Sequence, residues 1–393
     1  MEKKPSTLTS FNILFLLFFI EVSLLGSGQI LSVNNISLRM FIFGLALFYT
    51  IFYILLFAKI NFVFFSVVFI VAFYLSFFFL LGIVNGGELS FIWEDVKPLM
   101  YFFLVYFIYI NVDTVEKIEK IKVIYIYVSL FMAVTYIGLL VSIKFIGLDF
   151  DLIYIFLSGL SDDFIFRGAA ENPQFFYKGF LYLCIGLILI IFYKTKLLFK
   201  VIFFSLVLYA IYATGTRGFI LSLFAVLLVY LLFFSKTNNL KLTYYAVTVV
   251  MLILAFIFMD SIIETFYKEG SDDKRILQIL QVYNLTSLSS FFWGHGFGIG
   301  VPVSPVHMEI AFLEIFHKNG LLGLLVWFVL FLYFVVAYFT FNSNQRKIFI
   351  PFLLCVVFVY IQSFTNPFLN NPIGISFLMV SFVVAYRLRK SEL

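Results

Sequence analysis

The sequence predicts an all-α, polytopic integral membrane protein, and three observations predict it. Of 393 residues, 63% are hydrophobic and 12% are charged, where soluble domains run to about a quarter charged. Mean hydropathy is +1.10. Apolar runs of roughly 20 residues, enough to cross a bilayer as helix, recur along the whole chain. The basic residues collect in alternate gaps between those runs. These facts exclude a water-soluble enzyme. They also remove nucleic acid as a partner, which a net charge of +5 would raise for a soluble protein.

Taken in order, the runs predict about twelve spans, near 10–27, 37–58, 61–84, 97–112, 122–146, 176–193, 199–214, 217–235, 242–260, 319–340, 347–365 and 371–388. The first lacks a small-residue cleavage site before Glu21 and reads as a retained helix rather than a signal peptide. Lys and Arg mark cytoplasmic segments. Lys3, Lys4, Lys59, Lys117, Lys120, Lys122, Lys194, Lys196, Lys200, Lys236, Lys241, Arg346, Lys347, Arg387, Arg389 and Lys390 all fall on one side if both termini are cytoplasmic. Residues 1–393 then form a single transmembrane domain with two long outer loops, about 147–175 and 261–318. Cys184 and Cys355 lie within apolar runs and are expected to pack. The 58 phenylalanines read as lipid-facing and interhelical packing. No internal repeat relates the halves, which weighs against a duplicated transporter.

Charges at a bundle mouth are costly and point to function. Arg217 lies in Thr214-Gly215-Thr216-Arg217-Gly218, where a glycine turn and a helix start suit an anion such as phosphate. Arg167 lies in Phe166-Arg167-Gly168 followed by Asn172-Pro173-Gln174. Its alternative is a salt bridge to Asp149, Asp151, Asp162, Asp163 or Glu171. Arg275 follows Asp272-Asp273-Lys274 and opens a run spaced as an amphipathic outer helix near the interface. Gly294-His295-Gly296-Phe297-Gly298 reads as a close-approach loop, with no βαβ unit around it for a dinucleotide. Further on, a helix through Glu309, Phe312 and Leu313 would turn Glu309 toward the bundle. Glu314 and His317 could pair with each other. Asp162-Asp163 and Asp272-Asp273 are adjacent pairs that diverge on a helix, so no metal is expected.

Together these motifs, spanning about 162–323, resemble the O-antigen ligase/polymerase superfamily, which holds the Wzy-type polymerases and the lipid A-core ligases. The ligase pattern places a histidine upstream of Gly-x-x-Gly. Counting back from Gly320 at that spacing meets Glu309, and His307 falls two positions early. This departure moves the resemblance toward a polymerase. The resemblance implies a GT-C-like glycosyltransferase architecture, no cofactor, and undecaprenyl-diphosphate-linked oligosaccharides as donor and acceptor. It implies action at the periplasmic face of a bacterial inner membrane, with membrane lipid and a chain-length regulator as further partners. Arg217, Arg275 and Arg167 would then bind the diphosphate, and Glu309, with His307 in reserve, would act as base. A ligase attaching finished glycan, or a lipid-linked oligosaccharide flippase, are the alternatives. A flippase would place ionisable residues within several spans, whereas here Glu21 and Lys144 are nearly alone.

Overall fold

A computed structural model describes residues 12–25, 32–33, 36–57, 60–160, 164–167, 173–234 and 270–390. The expected span at 242–260 lies outside them. The other expected spans all fall on helices: α1 (Ile13–Leu24), α2 (Leu38–Phe57), α3 (Phe62–Val84), α4 (Leu89–Leu99), α5 (Val105–Asn111), α6 (Val115–Val141), α8 (Leu181–Phe192), α9 (Leu197–Ala213), α10 (Arg217–Val229), α13 (Ala311–Thr340), α14 (Ser343–Gln362) and α15 (Pro372–Lys390). Among the described residues, seven helices are long and apolar enough to cross a membrane. The chain is a polytopic, helical membrane protein.

Polar residues at the edges of the apolar runs start the helices. Asn12, Asn61, Thr114 and Asn342 each accept a hydrogen bond from a first-turn backbone N–H, satisfying donors that a helix start leaves open. The span expected at 97–112 is not one helix. It breaks into α4, a tight 3-10 stretch Met100–Leu104, and α5. Pro98 lies within α4 and withdraws a backbone donor there.

The loop expected at 147–175 holds α7 (Phe150–Leu160) and an antiparallel hairpin of β3 (Phe164–Arg167) and β4 (Gln174–Tyr177). A smaller hairpin, β1 (Ser32–Val33) with β2 (Ile36–Ser37), precedes α2. The loop expected at 261–318 holds α11 (Ser271–Leu285) and α12 (Leu288–Trp293).

Burial separates centre from rim. The spanning windows of α14 and α15 are 72% and 83% buried, whereas those of α2, α3 and α10 are each 17% buried. α8 packs closely on α6, where Gly186 admits Ser129, whose hydroxyl donates to Leu183 O at 3.1 Å. The outer helices turn phenylalanines away from the protein, as lipid-facing helices should.

The two ends carry different polar groups. At one end, Arg387 donates to the carbonyls of Tyr109 and Val112 at 2.7 and 2.8 Å, and Lys117 pairs with Asp113 at 2.9 Å. The described parts of the motif-bearing segments gather at the other end. Near that end Glu21 of α1 and Arg39 of α2 form a buried pair, with Arg39 Nε 2.8 Å and 3.0 Å from the two carboxylate oxygens. The charge that looked isolated within the first span is thus matched from the second.

Removing one member of such a pair strands the other charge, at about 3–5 kcal/mol. Glu21→Ala is therefore expected to lower the thermal midpoint of the purified protein in detergent markedly. Changing both residues to methionine should recover much of the loss in the same assay.

Candidate functional site

The site is built around a break in α13. Gly320 has φ 62°, in the left-handed region that favours glycine. The break costs the helix its regular hydrogen bonds at this turn. The carbonyls of His317 and Lys318 accept instead from His295 N (3.0 Å) and Gly296 N (2.8 Å). Buried backbone acceptors need such replacements. The glycine-rich loop can approach because it lacks side chains: a Cβ on Gly294 would lie 2.3 Å from Lys318 O, and one on Gly296 2.1 Å from Gly82 N of α3. The loop is the close-approach element that its glycines predicted.

A buried charge cluster lies beside the break. Lys318 Nζ is 2.7 Å from Asp95 Oδ1 of α4 and 2.6 Å from Glu314 Oε1, and it also donates to Val306 O. Asp95 Oδ2 accepts from Gly298 N at 2.7 Å. Glu314 Oε2 accepts from Asn370 Nδ2 at 3.2 Å. His307 Nδ1 is 3.2 Å from Glu314 Oε1 and 3.5 Å from Asp95 Oδ1. Asp95, Glu314 and Lys318 are almost fully buried, while the His307 side chain is 48% exposed. Two carboxylates and one ammonium leave a single negative charge, which a protonated His307 cancels. Burial pulls the His307 imidazole down, but the Glu314 hydrogen bond and charge outweigh it and leave its pKa above the ordinary value.

Asp95, His307 and Glu314 place their ligand atoms within 4.8 Å of one another, a grouping that the sequence did not disclose. The Lys318 ammonium already takes one oxygen from each carboxylate, so the donor set suits this internal cation better than a divalent ion. The expected Glu314–His317 pairing is not formed. Glu314 turns to Lys318 one helical turn on, and the His317 ring faces His295 at 4.5 Å.

The arginine motifs converge on the loop after α14. Arg275 Nη2 donates to Thr365 O at 3.2 Å. A Cβ on Gly218, beside Arg217, would lie 3.0 Å from both Thr365 Oγ1 and Gln362 Nε2. Ala311 N donates to Ser363 O at 3.0 Å. Arg167 pairs in the β-ladder with Gln174. Gln174 in turn abuts the Arg217 turn, since a Cβ on Gly215 would lie 2.3 Å from its Oε1. The Arg167 side chain, and the acids Asp162, Asp163 and Glu171, lie outside what is described.

Arg217 opens α10 at its first position. A cation there opposes the helix dipole, so helix stability does not account for the choice. Arg275 is held in salt bridges to Asp272 at 2.9 Å and Glu309 at 3.0 Å. Glu309 is not on the helix face assigned to it. α13 begins at Ala311, and Glu309 stands in the preceding loop, tied to α11 by Arg275 and by Gln278 Oε1, which accepts from Glu309 N at 3.3 Å. The residues missed were Asp95, Lys318, Thr365 and Asn370. Asn366-Pro367 and Asn371-Pro372 between two apolar runs mark a built loop, a signal available for the last two.

Residues 201–328 match the family model described as O-antigen ligase. The chain is 27% identical over 301 residues to an O-antigen polymerase of Shigella flexneri, covering 76% of this chain and 74% of that relative.

His307 should titrate above about 6.5, the ordinary histidine value, in a pH series followed by histidine NMR. Glu314→Gln should bring it down. Because the folded-state value is raised, the stabilising contribution of this pairing is complete below the ordinary value. It is lost as pH rises through the folded-state value. Thermal midpoints of wild type and His307→Gln should therefore differ most at acid pH and converge at alkaline pH.

Proposed function

Since both matches support the O-antigen ligase/polymerase superfamily for this chain, we propose that it is a glycosyltransferase that polymerises lipid-linked oligosaccharide repeat units. The reading places it in a bacterial inner membrane with its site at the periplasmic face, acting on undecaprenyl-diphosphate-linked donor and acceptor. The observation that carries it is the convergence of the Arg217 turn and Arg275 on Thr365. Two arginines whose segments meet at one loop suit the two phosphates of such a donor, since arginine binds phosphate oxygens in pairs.

In the transfer, an acceptor hydroxyl attacks the anomeric carbon of the growing chain. The carbon–oxygen bond to the diphosphate breaks, and the lipid diphosphate leaves with the electron pair. Arg217 and Arg275 stabilise the charge that builds on it, with Arg167 as a third contributor. The acceptor proton passes to a base. The geometry favours His307 for this role over Glu309. Acting from its neutral form, His307 directs Nδ1–H to Glu314, which fixes the ring, and the half-exposed side chain can present the free Nε2 to the acceptor. Glu309 serves as the resting partner of Arg275, which the diphosphate replaces on binding. A cleft of about 440 Å³ between α8, α9 and α10, lined by Leu187, Leu208, Ile220 and Leu227, begins one turn past Arg217. It offers the lipid tail a lateral, apolar path.

Transfer of finished glycan to a different acceptor is the second reading, favoured by the family description over residues 201–328. The two differ in what loss of the gene leaves behind: single repeats on the carrier for a polymerase, full-length chains on the carrier for a ligase.

In a strain lacking its own enzyme, wild type should restore a long polysaccharide ladder. Arg217→Ala, Arg275→Ala and His307→Gln should not, at equal protein level. Losing one such charge stabiliser costs roughly 10²–10³ in rate. Arg217→Lys should fail nearly as badly, because a point charge does not replace a paired contact. Normal ladders from all of these variants would sink the assignment of roles.

A further inference from the structure

The amphipathicity of α11 is inverted for a helix on an aqueous face. Three of its polar side chains, Arg275, Gln278 and Gln281, turn to the protein. Arg275 meets Glu309 and Thr365. Gln278, fully buried, donates to Ser304 Oγ at 2.7 Å and accepts from Glu309 N. Gln281 accepts from Val303 N at 3.0 Å. The opposite arc carries Ile276, Ile279, Leu280 and Tyr283, each about half exposed or more. At 3.6 residues per turn these four share one face. α12 extends the patch with Leu288, 80% exposed, and Trp293. An apolar patch this continuous marks a contact surface.

Continuity with a neighbouring surface identifies what covers it. The Trp293 ring lies 5.7 Å from that of Phe77 on α3. α3 is a long apolar span whose outward Phe69 and Phe73 are each about two-thirds exposed, as the lipid face of a membrane helix must be. The α11–α12 patch therefore continues that lipid face past the outer end of the span, with a tryptophan at the join. Tryptophan concentrates at the level of the lipid headgroups.

We infer that α11 and α12 lie in the plane of the outer leaflet, with the Ile276–Tyr283 face sunk among the lipid acyl chains. Such helices sit about 5–10 Å into the boundary between headgroups and acyl chains. Arg275, on the inner side of the same helix, is thereby held at phosphate depth. The inference rests on the packing of α11 and not on the reaction proposed above.

Depth-resolved quenching tests it without any activity assay. Leu280→Cys, in the full chain, is labelled with an environment-sensitive fluorophore and reconstituted into phosphatidylglycerol–phosphatidylethanolamine vesicles. The native Cys184 and Cys355 are fully buried and should not take the label. Nitroxide-bearing lipid should remove most of the signal at position 280, and aqueous iodide should remove little. Glu88→Cys, in an exposed loop at the same end, should show the reverse. Ile276→Cys provides a second reporter if Leu280→Cys does not fold. A signal at both sites that follows the Glu88 control would overturn the inference. So would protection from both quenchers, which would mean that protein covers the face.

Discussion

The site-bearing end of the molecule depends on Lys318. Its ammonium draws together a carboxylate from α4, a carboxylate from its own helix and a carbonyl of the loop before α13. Its backbone carbonyl accepts from Gly296. Ionised groups this deeply buried are tolerated only when each is paired and hydrogen-bonded. Asp95 meets that condition through Lys318 and Gly298, and Glu314 through Lys318, Asn370 and His307. Separate elements are thus locked by one electrostatic requirement. None could shift by much without leaving a charge exposed to an apolar interior.

The kink at Gly320 supplies the other half of this constraint. A regular helix would leave no backbone acceptors for the glycine loop. Breaking the ladder there frees two carbonyls, and the Gly294–Gly298 segment supplies the matching donors. The fit requires a chain with no Cβ at several positions, which explains why glycines alternate in that segment. Rigidity at this point matters, because His307 and Glu309 lie on the loop that Lys318 and Gln278 hold.

Much of the fold was legible in the sequence because a bilayer imposes one rule, long apolar runs, on every span. The boundaries at α2, α3 and α15 fall within a residue or two of expectation. The broken helix at 89–111 was missed because hydropathy does not register a change of helix pitch. In the site, Arg217 and Arg275 were visible as costly charges at the ends of apolar runs. Asp95 and Lys318 were not, because their meaning lies in a contact between residues far apart in sequence. Glu309 was misplaced for a local reason. Helical spacing was carried upstream past Ala311, where the chain is not helical.

Two kinds of charge therefore serve different ends at this face. The Asp95–Lys318–Glu314 group is buried and internally matched, so it resists exchange with any ligand. Arg275 is only partly buried, and its partners Asp272 and Glu309 are similarly open. Pairs of that kind hold weakly in a high dielectric, so a diphosphate with greater charge and more acceptor oxygens can replace a carboxylate. Arg217 stands at a helix start whose open N–H groups favour an anion, on the rim helix nearest an apolar cleft. Among the described residues, the Arg217 turn and this cleft give adjoining places for a doubly charged head and an apolar tail. Under the proposed reading, the rigid group would fix where the chemistry takes place, and the partly open pairs of Arg275 would leave room for the substrate to enter it.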